Sequence, residues 1–193
     1  MSFGRFNRNG TSYAVSSLTP IRSGREDALR EHLRTLAVSP FADLPDVHVA
    51  RWLLIDQMKL QWPGAPKRKT RLRSQYLLFS ASVTAADPQS AQQLPRSFLA
   101  AIATTIPRQA DAVWGNCVNY PGAARVEEFV SYLERSLLDT LLFHAGYPAT
   151  VTEVRRALAL RDGFARFAMA NQAVSDPAQL RENFITESAP WNR

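Results

Sequence analysis

The sequence predicts an α+β fold: an antiparallel sheet of order β-α-β-β-α-β, followed by a mainly helical extension. Three observations carry that expectation. Val47–Asp56 and Tyr76–Val83 are dense in large apolar and β-branched residues, as strands are. Stripes at helical spacing stand on either side, Leu29, Leu33 and Leu36 before them and Phe98, Ile102 and Ile106 after. Beyond Tyr120 the apolar spacing is mostly helical again.

Taken in order, Met1–Thr11 is polar and rich in Gly and Asn, a loose lead-in. Ser12–Ile21 is the first strand, with Pro20 marking its end or an edge position. Ser23-Gly-Arg-Glu26 has capping-box spacing and opens the first helix, on which Glu31 and His32 lie off the apolar stripe and are expected in solvent. Pro40 and Pro45 break the chain before the second strand, Val47–Asp56. Gln57–Arg73 is a long hairpin loop leading to the third strand, Tyr76–Val83. Asp87-Pro88 opens a second helical region, clearest from Pro95 to Ile106 and closed by Pro107. Ala112–Val118 is read as the fourth strand, interrupted by Gly115, and Tyr120-Pro-Gly122 turns the chain. This order is the ferredoxin-like split βαβ arrangement.

The extension starts with a helix marked by Val126, Phe129, Val130, Leu133 and Leu137. Leu141–Tyr147 reads as a fifth strand or as more helix. Thr150-Val-Thr-Glu153 is a second capping box, opening a helix to about Asn171, and Asp176-Pro177 opens a short one near the end. The expected division is residues 1–11 as lead-in, 12–122 as the ferredoxin-like domain, 123–172 as a helical extension packed on it, and 173–193 as a tail.

Composition narrows the class. The chain has 193 residues and 46% hydrophobic content, enough for a real core. The single Cys117 excludes an internal disulfide and any multi-cysteine metal site. Neither a signal peptide nor a membrane-spanning run is visible, so a cytoplasmic protein is expected. The formal charge is +6, and between Asp56 and Asp87 there is no acid, only Lys59, Lys67, Arg68, Lys69, Arg71 and Arg73. The excess charge is therefore the property of one loop.

The second strand sets up the functional question. Alternation puts His48, Ala50, Trp52, Leu54 and Asp56 on one face, and Val47, Val49, Arg51, Leu53 and Ile55 on the other. Both faces are apolar, so both are expected to be covered, the second by another subunit or by the extension. A homodimer is the expectation.

Leu18–Leu29 with its Thr-Pro-Ile, Val47-His-Val-Ala-Arg-Trp52, Tyr76–Ser80 and Asp111–Val118 together resemble a group of uncharacterised bacterial proteins. The resemblance spans roughly Leu18–Tyr120 and implies a ferredoxin-like fold related to the dimeric α+β barrels. That superfamily includes haem-dependent peroxidases, haem-degrading and cofactor-free monooxygenases, cyclases and plain binding modules. It implies a cavity beside the sheet and admits haem as a cofactor, without fixing an activity.

Within such a cavity His48 would ligate iron or move a proton, and Arg51 would bind a carboxylate or act beside it. Regular alternation separates the two, so only a bulge or a neighbouring chain joins them. The plain alternative is a hydrogen-bonded histidine and a structural arginine. Trp52, Tyr76, His144 and Tyr147 are the candidate ligand-lining residues, and Cys117 reads as a small buried hydrophobe. No P-loop, dinucleotide fingerprint, Gly-x-Ser-x-Gly elbow or HExxH is present. The second function class uses the basic loop: Lys67, Arg68, Lys69, Arg71 and Arg73, with Trp62 upstream, are candidate anion-binding residues for nucleic acid or an acidic protein. The third strand lacks the basic-Gly-aromatic signature of RNA-recognition sheets.

Overall fold

The computed structural model describes residues 7–57, 62–64, 71–85, 93–140, 142–146 and 149–192, except the side chains of Arg71 and Asn192. The chain divides into two compact units, Met1–Pro148 and Ala149–Arg193.

The first unit holds a four-stranded antiparallel sheet in the order β1-β2-β4-β3. Its strands are β1 (Arg8–Asn9), β2 (Ser12–Pro20), β3 (Val47–Gln57) and β4 (Arg71–Thr84). β2 and β3 both run antiparallel to β4, which lies between them. The helices of this unit are α1 (Glu26–Thr35), α2 (Leu94–Thr105), α3 (Pro107–Trp114) and α4 (Val126–Glu134).

Three expectations change here. Ala112–Val118 is not a strand: α3 takes Ala112–Trp114, and only Cys117 bridges to Ile21. Pro107 stands at the first helical position, and Ala110, Val113 and Trp114 are buried at helical spacing. The free edge of β2 is instead met in three pieces. β1 pairs with Ser12 and Tyr13, Leu137 bridges to Ser17, and Cys117 lies against Ile21. The strand order therefore differs from that of a simple ferredoxin sheet. Ser23 does not cap α1 either, because Gly24 adopts φ +82° and Arg25 becomes the N-cap without a side-chain cap bond. Arg25 Nε donates instead to Asn116 Oδ1 at 3.1 Å. Finally, residues 142–146 form neither strand nor helix.

One side of the sheet carries the core. Tyr13, Val15, Leu77, Phe79, Ala81 and Val83 are buried with Leu29, Phe98, Ile102, Trp114, Phe129 and Leu133 from the helices. Rings join end to end through it. Phe41 meets Trp52 at 4.5 Å between centroids, Trp52 meets Trp114 at 5.5 Å, and Trp114 meets Phe129 at 5.7 Å. Phe129 meets Tyr120 at 6.0 Å, and Tyr120 meets Tyr132 at 5.8 Å. Such edge-to-face contacts fill space and fix orientation together. Within one chain the other side is open: Val49 (62% exposed), Arg51 and Leu53 are exposed.

The second unit consists of α5 (Val151–Ala170), α6 (Pro177–Ser188) and a closing 3-10 turn, Ala189–Asn192. Thr150 forms both halves of the expected capping box, with Glu153 N–H donating to its hydroxyl at 3.2 Å and its own N–H donating to the Glu153 carboxylate at 2.6 Å. Asp176 caps α6 through Ala178 N–H at 3.0 Å. The short helix expected after Asp176-Pro177 is thus present, twelve residues long, within the segment read as a tail. No described helix is long and apolar enough to cross a membrane.

Candidate functional site

The sequence-derived site residues do not converge. Trp52 belongs to the core, its ring packed among Phe41, Phe79 and Trp114. It is a packing residue rather than a cavity lining. Arg51 is exposed and paired in register with Ser80, whereas Tyr76 lies two rows along the same face, opposite Ile55. A register shift between Val47 and Val49 breaks the alternation at His48, whose Nε2 hydrogen-bonds to the Thr84 hydroxyl. Burial holds the His48 imidazole below its ordinary pKa. His144 is exposed in the irregular segment 142–146. Tyr147, Lys59, Lys67, Arg68 and Lys69 lie outside the described residues, as does the Arg71 side chain, while Arg73 is exposed.

The haem expectation fails a fit test at its intended place. The side of the sheet under Trp52 is occupied by rings, with Phe79 against Trp114 at 5.3 Å and against Phe98 at 6.2 Å. A solid aromatic core leaves no room for a macrocycle there. A cavity at the start of the strand is an apolar recess of ≈ 240 Å³ between Leu44–Val47 and α2.

A larger groove lies where the ring chain reaches the surface. It has a volume of ≈ 590 Å³ and is lined by Asn119, Tyr120, Pro121, Arg125, Glu127, Glu128, Ser131, Tyr132 and Arg135. Local sequence builds it. Asn119 takes a left-handed φ of 57° and Gly122 one of 97°, which folds Tyr120 back toward α4. The Tyr120 hydroxyl donates to Asp111 Oδ1 at 2.7 Å, and Ala123 N–H donates to the same oxygen at 2.9 Å. From α4, Phe129 and Tyr132 bury one face while Glu128, Ser131 and Arg135 reach the rim.

The groove's electrostatics are simple. Glu127 and Glu134 share Arg96, at 2.5 and 2.8 Å. Glu128 pairs with Arg125 at 2.8 Å, and Arg125 also donates through Nε to Pro121 O at 2.8 Å. Arg135 has no acidic partner among the described residues. Burial pushes the Tyr120 phenol well up, reinforced by its bond to Asp111. Burial likewise raises Tyr132, whose hydroxyl sits beside Cys117 and Thr19 and makes no hydrogen bond of ordinary geometry among the described residues. Cys117 is raised by burial too, despite its 3.4 Å contact with the Thr19 hydroxyl. These phenols and this thiol stay neutral at physiological pH, and the floor offers shape and ring faces.

No family model matches the chain, and comparison with curated proteins and with solved structures returns no match. The functional argument therefore rests on the groove itself. Sequence reading did not place Tyr120, Tyr132, Asp111 or Arg135 in a site. The available signals were the Asn-Tyr-Pro-Gly turn and the placement of Tyr132 three residues after Phe129 on a helical stripe.

Proposed function

We propose that the protein is a small-molecule binding protein whose site is the groove over Tyr120 and Tyr132. The observation that carries this reading is one uncompensated cation, Arg135, at the rim of a groove floored by two aromatic rings. The volume falls within the usual range of ligand sites. A planar or aromatic ligand bearing a carboxylate suits both parts, since the ring faces supply apolar area and the guanidinium can donate two parallel hydrogen bonds to the carboxylate. The neutral phenols and thiol favour binding over proton-transfer chemistry.

Benzoate and naphthoate, with their neutral amides as controls, are the probes. Saturating carboxylate should raise the unfolding midpoint, and ligand at about a hundredfold over Kd adds about 2.7 kcal/mol. Arg135→Ala should remove the preference for acid over amide, and Tyr120→Ala should weaken both. Equal response of the wild-type chain and Tyr120→Ala to every probe sinks the groove as a site.

A ferredoxin-like kinship and a homodimer belong to the same reading. In support, β2 and β3 run parallel on either side of β4 with α1 between them in sequence, which is one split βαβ half. The uncovered row Leu18–Leu78–Leu53 and the adjoining Ile55 and Tyr76 would pack on a second copy.

The second reading, an anionic partner gripped by the hairpin between β3 and β4, is favoured by the acid-free run carrying six cations. The β3–β4 ladder reaches Gln57↔Arg71, and Arg73 is exposed on β4. Heparin retention that falls with salt and is lost on neutralising Lys67, Arg68, Lys69, Arg71 and Arg73 supports it. Retention unchanged by those substitutions dismisses it.

A further inference from the structure

The second unit leaves six large apolar side chains exposed: Leu158, Leu160, Phe164, Met169, Phe184 and Ile185. α5 and α6 are antiparallel: Phe167 meets Phe184 at 5.3 Å, Asn171 Oδ1 accepts from Asn183 Nδ2 at 2.6 Å, and Trp191 lies over Gly163. That contact uses only the C-terminal half of α5. Gly163, Phe167 and Asn171 are buried, whereas every residue from Arg155 to Asp162 is exposed. Leu160 and Phe164 on α5, with Phe184 and Ile185 on α6, are exposed as well, Ile185 at 57%. At 3.6 residues per turn, with the helices touching along the Gly163–Phe167 line, these four side chains fall on one side of the hairpin. The exposed Ala157 and Ala168 extend the stripe along α5 and allow close approach.

We infer that this stripe is a self-association surface whose occupant is the same stripe of a second copy. α5 of one chain would run antiparallel along α6 of the other, giving a four-helix arrangement about a two-fold axis. Charge selects that register. α5 carries Arg155, Arg156, Arg161 and Arg166 against Glu153 and Asp162. α6 with its cap carries Asp176, Glu182 and Glu187 against Arg181 alone. Laying α5 on the partner's α6 joins a basic helix to an acidic one, whereas the other two-fold sets α5 on α5 and like on like. Contiguous exposed apolar side chains with polar neighbours mark such surfaces. The inference does not depend on the groove or on the sheet's open side.

Sedimentation of the full chain over a concentration series tests it. The wild-type chain should associate, and Ile185→Asp should lower the assembly by one step, weakening association about tenfold or more. Leu158→Asp, on the far side of α5 from Gly163 and Phe167, should leave assembly unchanged. Far-UV circular dichroism checks the helices. Should Ile185→Asp lose them, the fully solvent-facing Glu182→Lys decides, and it should weaken association most at low salt. A chain monomeric throughout, assembly indifferent to both Ile185→Asp and Glu182→Lys, or disruption as strong from Leu158→Asp, overturns the inference.

Discussion

Phe79 and Phe167 are each the ring on which their part of the chain closes, yet their surroundings differ. Phe79 is fully buried and touches Phe41, Trp52, Phe98 and Trp114. Phe167 is nearly buried but touches Phe164, Phe184 and Trp191, of which Phe164 and Phe184 are themselves exposed. Six of the thirteen large apolar side chains exposed among the described residues belong to Ala149–Arg193, much the smaller unit. A sheet with helices on one side buries a continuous core; two helices alone share one seam and leave their remaining faces wet. Burial is thereby divided unevenly, with the first unit closing a continuous core and the second presenting apolar surface.

Substituting the two rings should separate the units most strongly. Phe79→Ala removes a ring from a site that cannot collapse, at a cost of about 3–5 kcal/mol. Urea unfolding followed by tryptophan emission should show the main transition displaced accordingly. Phe167→Ala should cost only about 1–2 kcal/mol, because its neighbours are already partly hydrated. It should reduce helical signal ahead of the main transition without moving that transition. A single transition shifted equally by both changes would mean that the units unfold as one.

How much of this was legible in the sequence follows from the range of each interaction. β3, β4, α5 and the Asp176 cap depend on alternation or on neighbours within one turn, and all were readable in the chain. Ser23-Gly-Arg-Glu26 had the same cap spacing as Thr150–Glu153 but failed, because Gly24 turned left-handed and Arg25 found Asn116 far along the chain. Ala112–Val118 looked like a strand because Val113, Trp114 and Val118 suit one. The deciding neighbour was Pro107, which starts a helix as readily as it ends one. The groove was illegible for a different reason. Tyr120 and Tyr132 are ordinary residues until the turn at Asn119 and Gly122 brings their rings to 5.8 Å. The second side of β3 is read as apolar and expected to be covered; within one chain Val49 and Leu53 stay exposed, because exposure depends on what covers a strand, which its own alternation does not encode.

A smaller effect sharpens the same contrast at the start of α5. Thr150→Ala should cost about 1 kcal/mol, the usual value for losing an N-cap oxygen. The loss should appear as helix fraying in the second unit, seen by amide exchange at Glu153 and Val154, while amides of β4 remain protected. Glu153 adds a pH dependence. Its carboxylate is held below the usual glutamate range by the Thr150 backbone N–H and then by the Thr150 hydroxyl. Its stabilising contribution is therefore complete above that range and disappears as pH falls through the depressed value. Glu153→Gln, which cannot titrate, should remove this pH dependence from the helix's protection, whereas Thr150→Ala, which keeps the backbone N–H, should only reduce it.

The smallest expected effect belongs to the first unit. Burial at the β3 bulge disfavours the charged form of His48, so its folded pKa lies below the ordinary histidine value near 6.5. The unfolded chain then takes up the proton first as pH falls. Stability tied to neutral His48 is full above the ordinary value and is lost as pH drops from there through the lowered one. His48→Gln keeps a polar side chain that can still meet Thr84 but cannot titrate. Its unfolding midpoint should match that of the parent near pH 5 more closely than at pH 7.5, where the imidazole's own contribution is intact. A midpoint difference that is constant across this interval would place the His48 ring in effectively bulk water, and the bulge would then be a feature of backbone geometry alone.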